Sequence, residues 1–223
     1  MFVLEQIIGV VAPHNCLVCG AEGRPICRWC FYEACPALPA RCYKCYAATP
    51  DSAVCAKCRR TSPLKHVWVR TDYDGYARRL VHALKFERMQ AVAPILAEYC
   101  KETLPYQENI LIVPVPTASS RRRLRGYDQS KLIARSLAAR TKYKYQPLLG
   151  RLGQTRQVGT KRAERASQLE GAFWVTRPEA ASGAHILLID DVLTTGATIE
   201  AAARTLKKAG AKTINAFVFA QKQ

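Results

Sequence analysis

Ile186-Leu187-Leu188-Ile189-Asp190-Asp191-Val192-Leu193-Thr194-Thr195-Gly196-Ala197-Thr198-Ile199 is the stretch whose reading decides the fold of this 223-residue chain. Four apolar residues form a strand buried on both faces, two adjacent carboxylates end it, and a Thr/Gly turn opens a helix. Successive backbone N–H groups at a helix N-terminus make a cradle for a phosphate. Gly196 lets the backbone approach a ligand without a Cβ in the way. Thr194, Thr195 and Thr198 add hydroxyl donors and can cap the helix. Asp190 and Asp191, at the carboxyl end of a strand, can accept hydrogen bonds from vicinal ribose hydroxyls, and ligands of open α/β sheets bind at such ends. A Walker loop would need Gly-Lys-Ser/Thr and a dinucleotide-binding turn would need GxGxxG; this stretch has neither.

Outward from this stretch, strand-like and helix-like segments alternate. Strands are expected over 67–73, 110–115, 172–176, 185–191 and 213–220. Helical spacing runs through Tyr76, Leu80, Val81 and Leu84 to Lys85, then over 91–100, 130–139 and 197–209, where Gly210 ends the last helix. This pattern predicts an α/β fold with a mostly parallel sheet over 63–223. The strand from Ile110 ends in Pro114-Val115-Pro116. The run Arg121-Arg122-Arg123-Leu124-Arg125-Gly126-Tyr127-Asp128-Gln129 comes next and reads as a basic loop whose guanidinium groups suit pyrophosphate.

Eight of the ten cysteines fall into four CxxC pairs, Cys16/Cys19, Cys27/Cys30, Cys42/Cys45 and Cys55/Cys58. Two thiolates at i and i+3 on a tight turn converge on one tetrahedral metal, so four turns imply two all-sulfur zinc sites over residues 1–62. Sequential pairing is simplest, and interleaved pairing is also geometrically open. A segment this short builds little apolar core, so metal would supply much of its folding free energy. Disulfides would call for an oxidising compartment and a signal peptide. A redox CxxC comes singly beside a βαβ pattern, and catalytic zinc keeps an open position.

Thirty-four Lys and Arg against 17 Asp and Glu give a formal charge of +17. Two zinc–tetrathiolate sites lower that only to about +13, so a polyanionic partner is favoured. Fourteen of the basic residues lie between Ser119 and Arg165, against Asp128 and Glu164 alone. The nucleic-acid candidates are Arg121, Arg122, Arg123, Arg125, Tyr127, Arg156, Lys161, Arg162 and Arg165, with Tyr143 and Tyr145 interleaved for stacking of single-stranded bases. The apolar start over 1–12 is too short to span a bilayer and has no basic n-region; it reads as a short helix packed on the zinc module. The expected location is the cytoplasm, without membrane insertion.

The Asp190-Asp191 run resembles the signature of type I phosphoribosyltransferases. That resemblance implies that Asp190 and Asp191 hold the ribose diol of phosphoribosyl pyrophosphate and act in catalysis, and that Thr194, Thr195, Gly196, Ala197 and Thr198 hold its 5′-phosphate. Val192, Leu193, Lys85, Pro114 and Arg125 complete the expected pocket, with Mg²⁺ accompanying the ligand. The whole arrangement resembles the ComF competence family. It has N-terminal CxxC pairs, Ala83-Leu84-Lys85-Phe86, the Val113-Pro114-Val115-Pro116 strand end, Arg125-Gly126-Tyr127-Asp128-Gln129, then Gln157 and Arg165 before Gly171-Ala172-Phe173, and the acid-pair loop. Asp128 and Gln168 stand where that family commonly has Asn.

The ComF resemblance implies a role in natural transformation, with binding of phosphoribosyl pyrophosphate and single-stranded DNA beside a helicase-like ATPase partner. Pentosyl transfer would be the chemistry if the chain turns over. Two other functions fit the same pocket: a nucleobase phosphoribosyltransferase of purine or pyrimidine salvage, and a phosphoribosyl pyrophosphate sensor without turnover. The salvage reading needs a base-recognising hood, and cysteine-rich sequence takes the place where one is expected.

Overall fold

The computed structural model describes residues 14–105, 108–152 and 171–223. The helix expected over 1–12, and the residues Arg156, Gln157, Lys161, Arg162, Arg165 and Gln168, lie outside the described residues. In chain order the elements are α1 (Arg28–Ala34), α2 (Ala56–Arg59), β1 (Val67–Asp72), α3 (Gly75–Phe86), α4 (Val92–Thr103), β2 (Ile110–Pro114), α5 (Ser119–Arg125) and α6 (Gln129–Ala138). They continue with β3 (Lys144–Tyr145), β4 (Leu149–Arg151), β5 (Phe173–Val175), α7 (Pro178–Ala181), β6 (His185–Leu193), α8 (Ala197–Lys208) and β7 (Thr213–Gln221).

Five strands form one sheet in the order β1-β7-β6-β2-β3, every neighbouring pair parallel, and β4 and β5 make a separate antiparallel pair. The central strands carry consecutive apolar residues, over 110–113, 186–189 and 216–220, because both faces of the sheet are covered. Ile110, Ile112, Leu187, Ile189, Phe217 and Phe219 face one core, which holds Leu80 and Leu84 of α3, Leu96 and Tyr99 of α4, and Ile133 and Leu137 of α6. The alternate residues Leu111, Val113, Ile186, Leu188, Ala216 and Val218 face the other, with Ile199, Ala202, Ala203 and Leu206 of α8. Each of the larger side chains contributes about 1.5–3 kcal/mol through burial.

The cysteine-rich segment is divided between these cores. Cys16, Ile26, Cys30, Phe31 and Cys35 join the first; Cys42, Tyr43, Val54 and Leu64 join the second.

From β2 the chain moves outward to β3, then returns to the other side of β2 to lay down β6. Strand order therefore reverses between β2 and β6, and the crevice outside their carboxyl ends is where an open α/β sheet binds a ligand. Two details differ from the sequence expectation. The acid pair does not end its strand: β6 continues to Leu193 against β7, while its pairing with β2 stops at Pro114↔Ile189. Past Ile189 one edge of β6 is thus released from β2, and the crevice opens there. The basic run after Pro116 is not a loop but the two-turn helix α5, closed by Gly126 in the left-handed conformation at φ +85°. Its only apolar side chain, Leu124, is exposed, so no apolar stripe marks it as helical.

Candidate functional site

Asp190 is partly buried and Asp191 is buried at the mouth of the crevice. Asp190 accepts from Ser130 Oγ at 2.9 Å and from the Asp191 backbone N–H at 2.9 Å. Asp191 pairs with Lys85 Nζ at 2.6 Å. Lys85 comes from the last turn of α3, whose apolar face fixes its direction. Burial first, and the neighbouring Asp191 charge second, push the Asp190 carboxyl up to about 7, although Lys85 and Ser130 oppose the rise. One site therefore holds a carboxylate neutralised by a lysine beside a carboxyl that titrates near neutrality, as two acids held side by side should.

The turn after the acid pair places Thr194 and Thr195 in solvent and buries Gly196. Gly196 is the N-cap of α8 at φ +80° and has no side chain with which to cap the helix. The Thr195 hydroxyl accepts weakly from Ala197 N at 3.4 Å. An uncapped N-terminus of a twelve-residue helix, flanked by hydroxyls, presents amide donors and the positive end of the helix dipole to an anion.

The far wall of the crevice comes from β2 and from the segment between Thr117 and Gln129. Arg125 is half-buried, donates to Gln129 Oε1 at 2.9 Å and lies 4.9 Å over the Phe86 ring. Burial draws its pKa down while the Asp191 charge opposes that. Asp128 caps α6 by accepting from Lys131 N at 3.2 Å and also accepts from Thr117 N at 2.8 Å, which ties the loop after Pro114 to the helix. Arg151 donates to Pro116 O at 3.3 Å and has its guanidinium 5.1 Å over the Phe173 ring; burial lowers its pKa and Asp190 opposes the fall.

The fold thus brings Lys85, Pro114, Arg125, Asp190, Asp191, Val192, Leu193 and the turn Thr194, Thr195, Gly196, Ala197, Thr198 to one end of the sheet. Arg121, Arg122 and Arg123 are exposed on α5 beside it. Tyr127 is turned inward: its hydroxyl donates to Leu84 O, and its ring, like those of Tyr143 and Tyr145, packs against the first core. Each of the three tyrosines is partly exposed. Ser130 and Arg151 join the site without having been singled out in the sequence. Ser130 comes directly after the Tyr127-Asp128-Gln129 segment, and a hydroxyl at the start of a helix beside that segment was the available signal. Arg151 was visible only as one charge in a basic stretch.

The cysteines form two groups, Cys16, Cys19, Cys27 and Cys30, and Cys42, Cys45, Cys55 and Cys58, with the sulfurs of each group within 4.8 Å of one another. This is sequential pairing. Four sulfurs about 2.3 Å from a tetrahedral zinc ion stand about 3.8 Å apart. Cys19 and Cys27 Sγ are 3.9 Å apart, and Cys45 and Cys55 Sγ are 3.6 Å apart. Burial raises the Cys16 and Cys42 thiols, but backbone N–H donors outweigh it and bring them to about 6 and about 7. Cys58 is pushed up to about 12 by burial and by its neighbouring thiols. Such a cluster cannot hold four thiolates unaided, and a dication supplies what it lacks. Each group can hold one structural zinc ion.

Comparison with known proteins agrees with this geometry. The phosphoribosyl transferase domain family matches residues 87–223. The DNA utilization protein YhgH of Salmonella typhi is 30% identical over 183 residues, covering 73% of this chain and 75% of that protein. Competence protein ComFC of Bacillus subtilis is 36% identical over 103 residues, 46% of this chain and 40% of that protein. Among solved structures, the glutamine phosphoribosylpyrophosphate amidotransferase from B. subtilis aligns at 17% identity with a TM-score of 0.40. That alignment covers 58% of this chain and 26% of that one, so the chain spans about a quarter of that structure's length. Among the described residues no helix is long and apolar enough to cross a membrane. The domain match covers more than half of the chain, the YhgH match covers most of both proteins, and the paired four-cysteine groups precede the acid-pair loop: this chain belongs to the phosphoribosyl transferase domain family, among the ComF-type proteins that include ComFC and YhgH.

Proposed function

We propose that the crevice binds phosphoribosyl pyrophosphate and that the protein uses this site in handling single-stranded DNA during uptake. The observation that carries the reading is the joining of Asp190 and Asp191 to an uncapped helix N-terminus at the point where strand order reverses. In this reading the carboxylates accept hydrogen bonds from the 2′- and 3′-hydroxyls of the ribose, and the amides and hydroxyls from Thr194 to Thr198 take the 5′-phosphate. Lys85 holds Asp191 in place. Arg125, half-buried and paired with Gln129, faces the pyrophosphate side. Bound Mg²⁺ would neutralise charge on the pyrophosphate.

The exposed Arg121, Arg122 and Arg123 extend the positive surface beyond the pocket, and the competence and DNA-utilization names of the relatives agree with a nucleic-acid partner there. A helicase-like ATPase as protein partner, and the cytoplasm as location, belong to the same reading. The test mixes zinc-loaded protein, Mg²⁺ and phosphoribosyl pyrophosphate with a labelled single strand, then with a set of nucleobases, and monitors strand anisotropy and pyrophosphate release. The expected result is strand binding that weakens steeply with salt, without base-dependent release. Release dependent on one base, with no strand binding, would instead make the protein a salvage transferase.

A further inference from the structure

The turn assigned to the phosphate does not stand alone; the second cysteine group is built against it. Tyr43 and Lys44 lie between Cys42 and Cys45. The Tyr43 hydroxyl, which accepts from Ser62 Oγ at 2.8 Å, donates to Glu200 Oε1 at 2.6 Å. Lys44 Nζ pairs with the same oxygen at 2.9 Å. The Tyr43 carbonyl accepts from Gln221 Nε2 at 2.8 Å, which anchors the knuckle to the end of β7. Glu200 is buried in the first turn of α8, and its N–H donates to Gly196 O at 2.9 Å. The Tyr43 ring also fills the space that a side chain at position 196 would need: a Cβ there would lie 3.0 Å from Tyr43 Cε2 and 3.8 Å from Glu200 Oε1.

A buried carboxylate at this place is at odds with anion binding. It lies in the first turn of the helix whose amides would receive the phosphate, and unneutralised it would repel that phosphate. Lys44 and the Tyr43 hydroxyl compensate it, with Arg204 contributing at 3.4 Å from the solvent side.

We propose that Tyr43 and Lys44 are positioning residues for the Thr194–Thr198 turn, so that the second cysteine group sets the affinity for phosphoribosyl pyrophosphate while the first does not. The inference rests on the assignment of that turn to the ligand phosphate. Lys44 cancels the charge of Glu200, and the Tyr43 ring holds Gly196 in its left-handed conformation. The first group has no equivalent contact among the described residues; it docks on α4 through Arg24–Glu98 at 2.7 Å and Tyr32–Glu102 at 2.7 Å.

The test is calorimetric titration of full-length, zinc-loaded variants with Mg²⁺ and phosphoribosyl pyrophosphate, with zinc content measured on each sample. Lys44→Met is expected to weaken binding about tenfold, and Tyr43→Ala at least as much, because each removes part of what compensates the buried Glu200 charge and Tyr43→Ala also frees the space beside Gly196. Zinc should stay at two per chain. Adding Glu200→Gln to Lys44→Met should restore affinity to within about threefold of wild type, because the repelling charge is then gone. A knuckle that merely failed to fold would not be rescued by neutralising a residue on α8. Arg24→Gln should bind like wild type. Wild-type affinity in both Lys44→Met and Tyr43→Ala, with zinc retained, would overturn the proposal, as would a Lys44→Met defect that Glu200→Gln leaves in place. Failure of the wild-type protein itself to bind would overturn the underlying function as well.

Discussion

The first cysteine group sits on the face of the sheet covered by α3, α4 and α6, where Phe31 stacks on Tyr99 and the buried Arg70 guanidinium lies within 6 Å of the Phe31, Tyr32 and Tyr99 rings. The second sits on the opposite face, against α8, where polar contacts from Tyr43 and Lys44 to one carboxylate, Glu200, are added to the apolar packing of Val54 and Leu64. Two sequence-similar groups of four cysteines have thus been docked by different physics. The first is held mainly by apolar and cation–π contacts that tolerate small displacements, with Arg24–Glu98 and Tyr32–Glu102 beside them. The second adds directional hydrogen bonds next to the proposed phosphate turn, where a small displacement changes the charge that a ligand meets.

The strongest way to break this comparison is to remove one metal at a time. Cys19→Ser and Cys45→Ser should each lower zinc from two per chain to one and destabilise the protein by several kcal/mol, since metal-binding free energy here is folding free energy. Their effects on phosphoribosyl pyrophosphate should part company, with the Cys45 variant losing binding and the Cys19 variant retaining most of it. Equal losses, measured by calorimetry beside metal analysis, would remove the distinction. A smaller effect comes from the apolar docking itself. Phe31→Ala should cost about 3–5 kcal/mol in denaturant unfolding, whereas Arg24→Gln, which cuts a half-exposed ion pair on the same module, should cost less than about 1 kcal/mol. The reverse order would mean that the first group is held by charge after all.

A subtler prediction concerns the acid pair. The Asp190 carboxyl stands at about 7 against a usual 3.8, so between those values the folded protein holds a proton that the unfolded chain has released. The group's contribution therefore favours folding at low pH and fades as pH rises through about 7. Asp190→Asn should melt at a higher temperature than wild type at pH 8, and the two melting temperatures should converge near pH 4. A difference that does not change with pH would show that Asp190 is ionised throughout.

Local features were legible in the chain and long-range ones were not. The run from Ile186 to Ile199 carries its strand, turn and helix in adjacent residues, and the structure has them there. The four CxxC turns likewise predict two metal groups from spacing alone. By contrast, nothing near Tyr43 signals Glu200, 157 residues away, because that contact exists only after α8 has been laid on the sheet. The division of the cysteine groups between two faces is hidden for the same reason. Helix α5 is masked in the sequence because guanidinium groups crowd it and its one apolar residue faces solvent. The inward turn of Tyr127 is equally hidden, since an aromatic among arginines gives no indication of which face it takes.

The most direct test of the central claim is calorimetric titration of Mg²⁺ and phosphoribosyl pyrophosphate into wild type and into the double variant Asp190→Asn with Asp191→Asn, both shown to carry two zinc ions per chain. Binding by wild type and a loss of at least about a hundredfold in the double variant is the predicted result. Equal binding by both proteins would contradict the assignment of the acid pair, and with it the site.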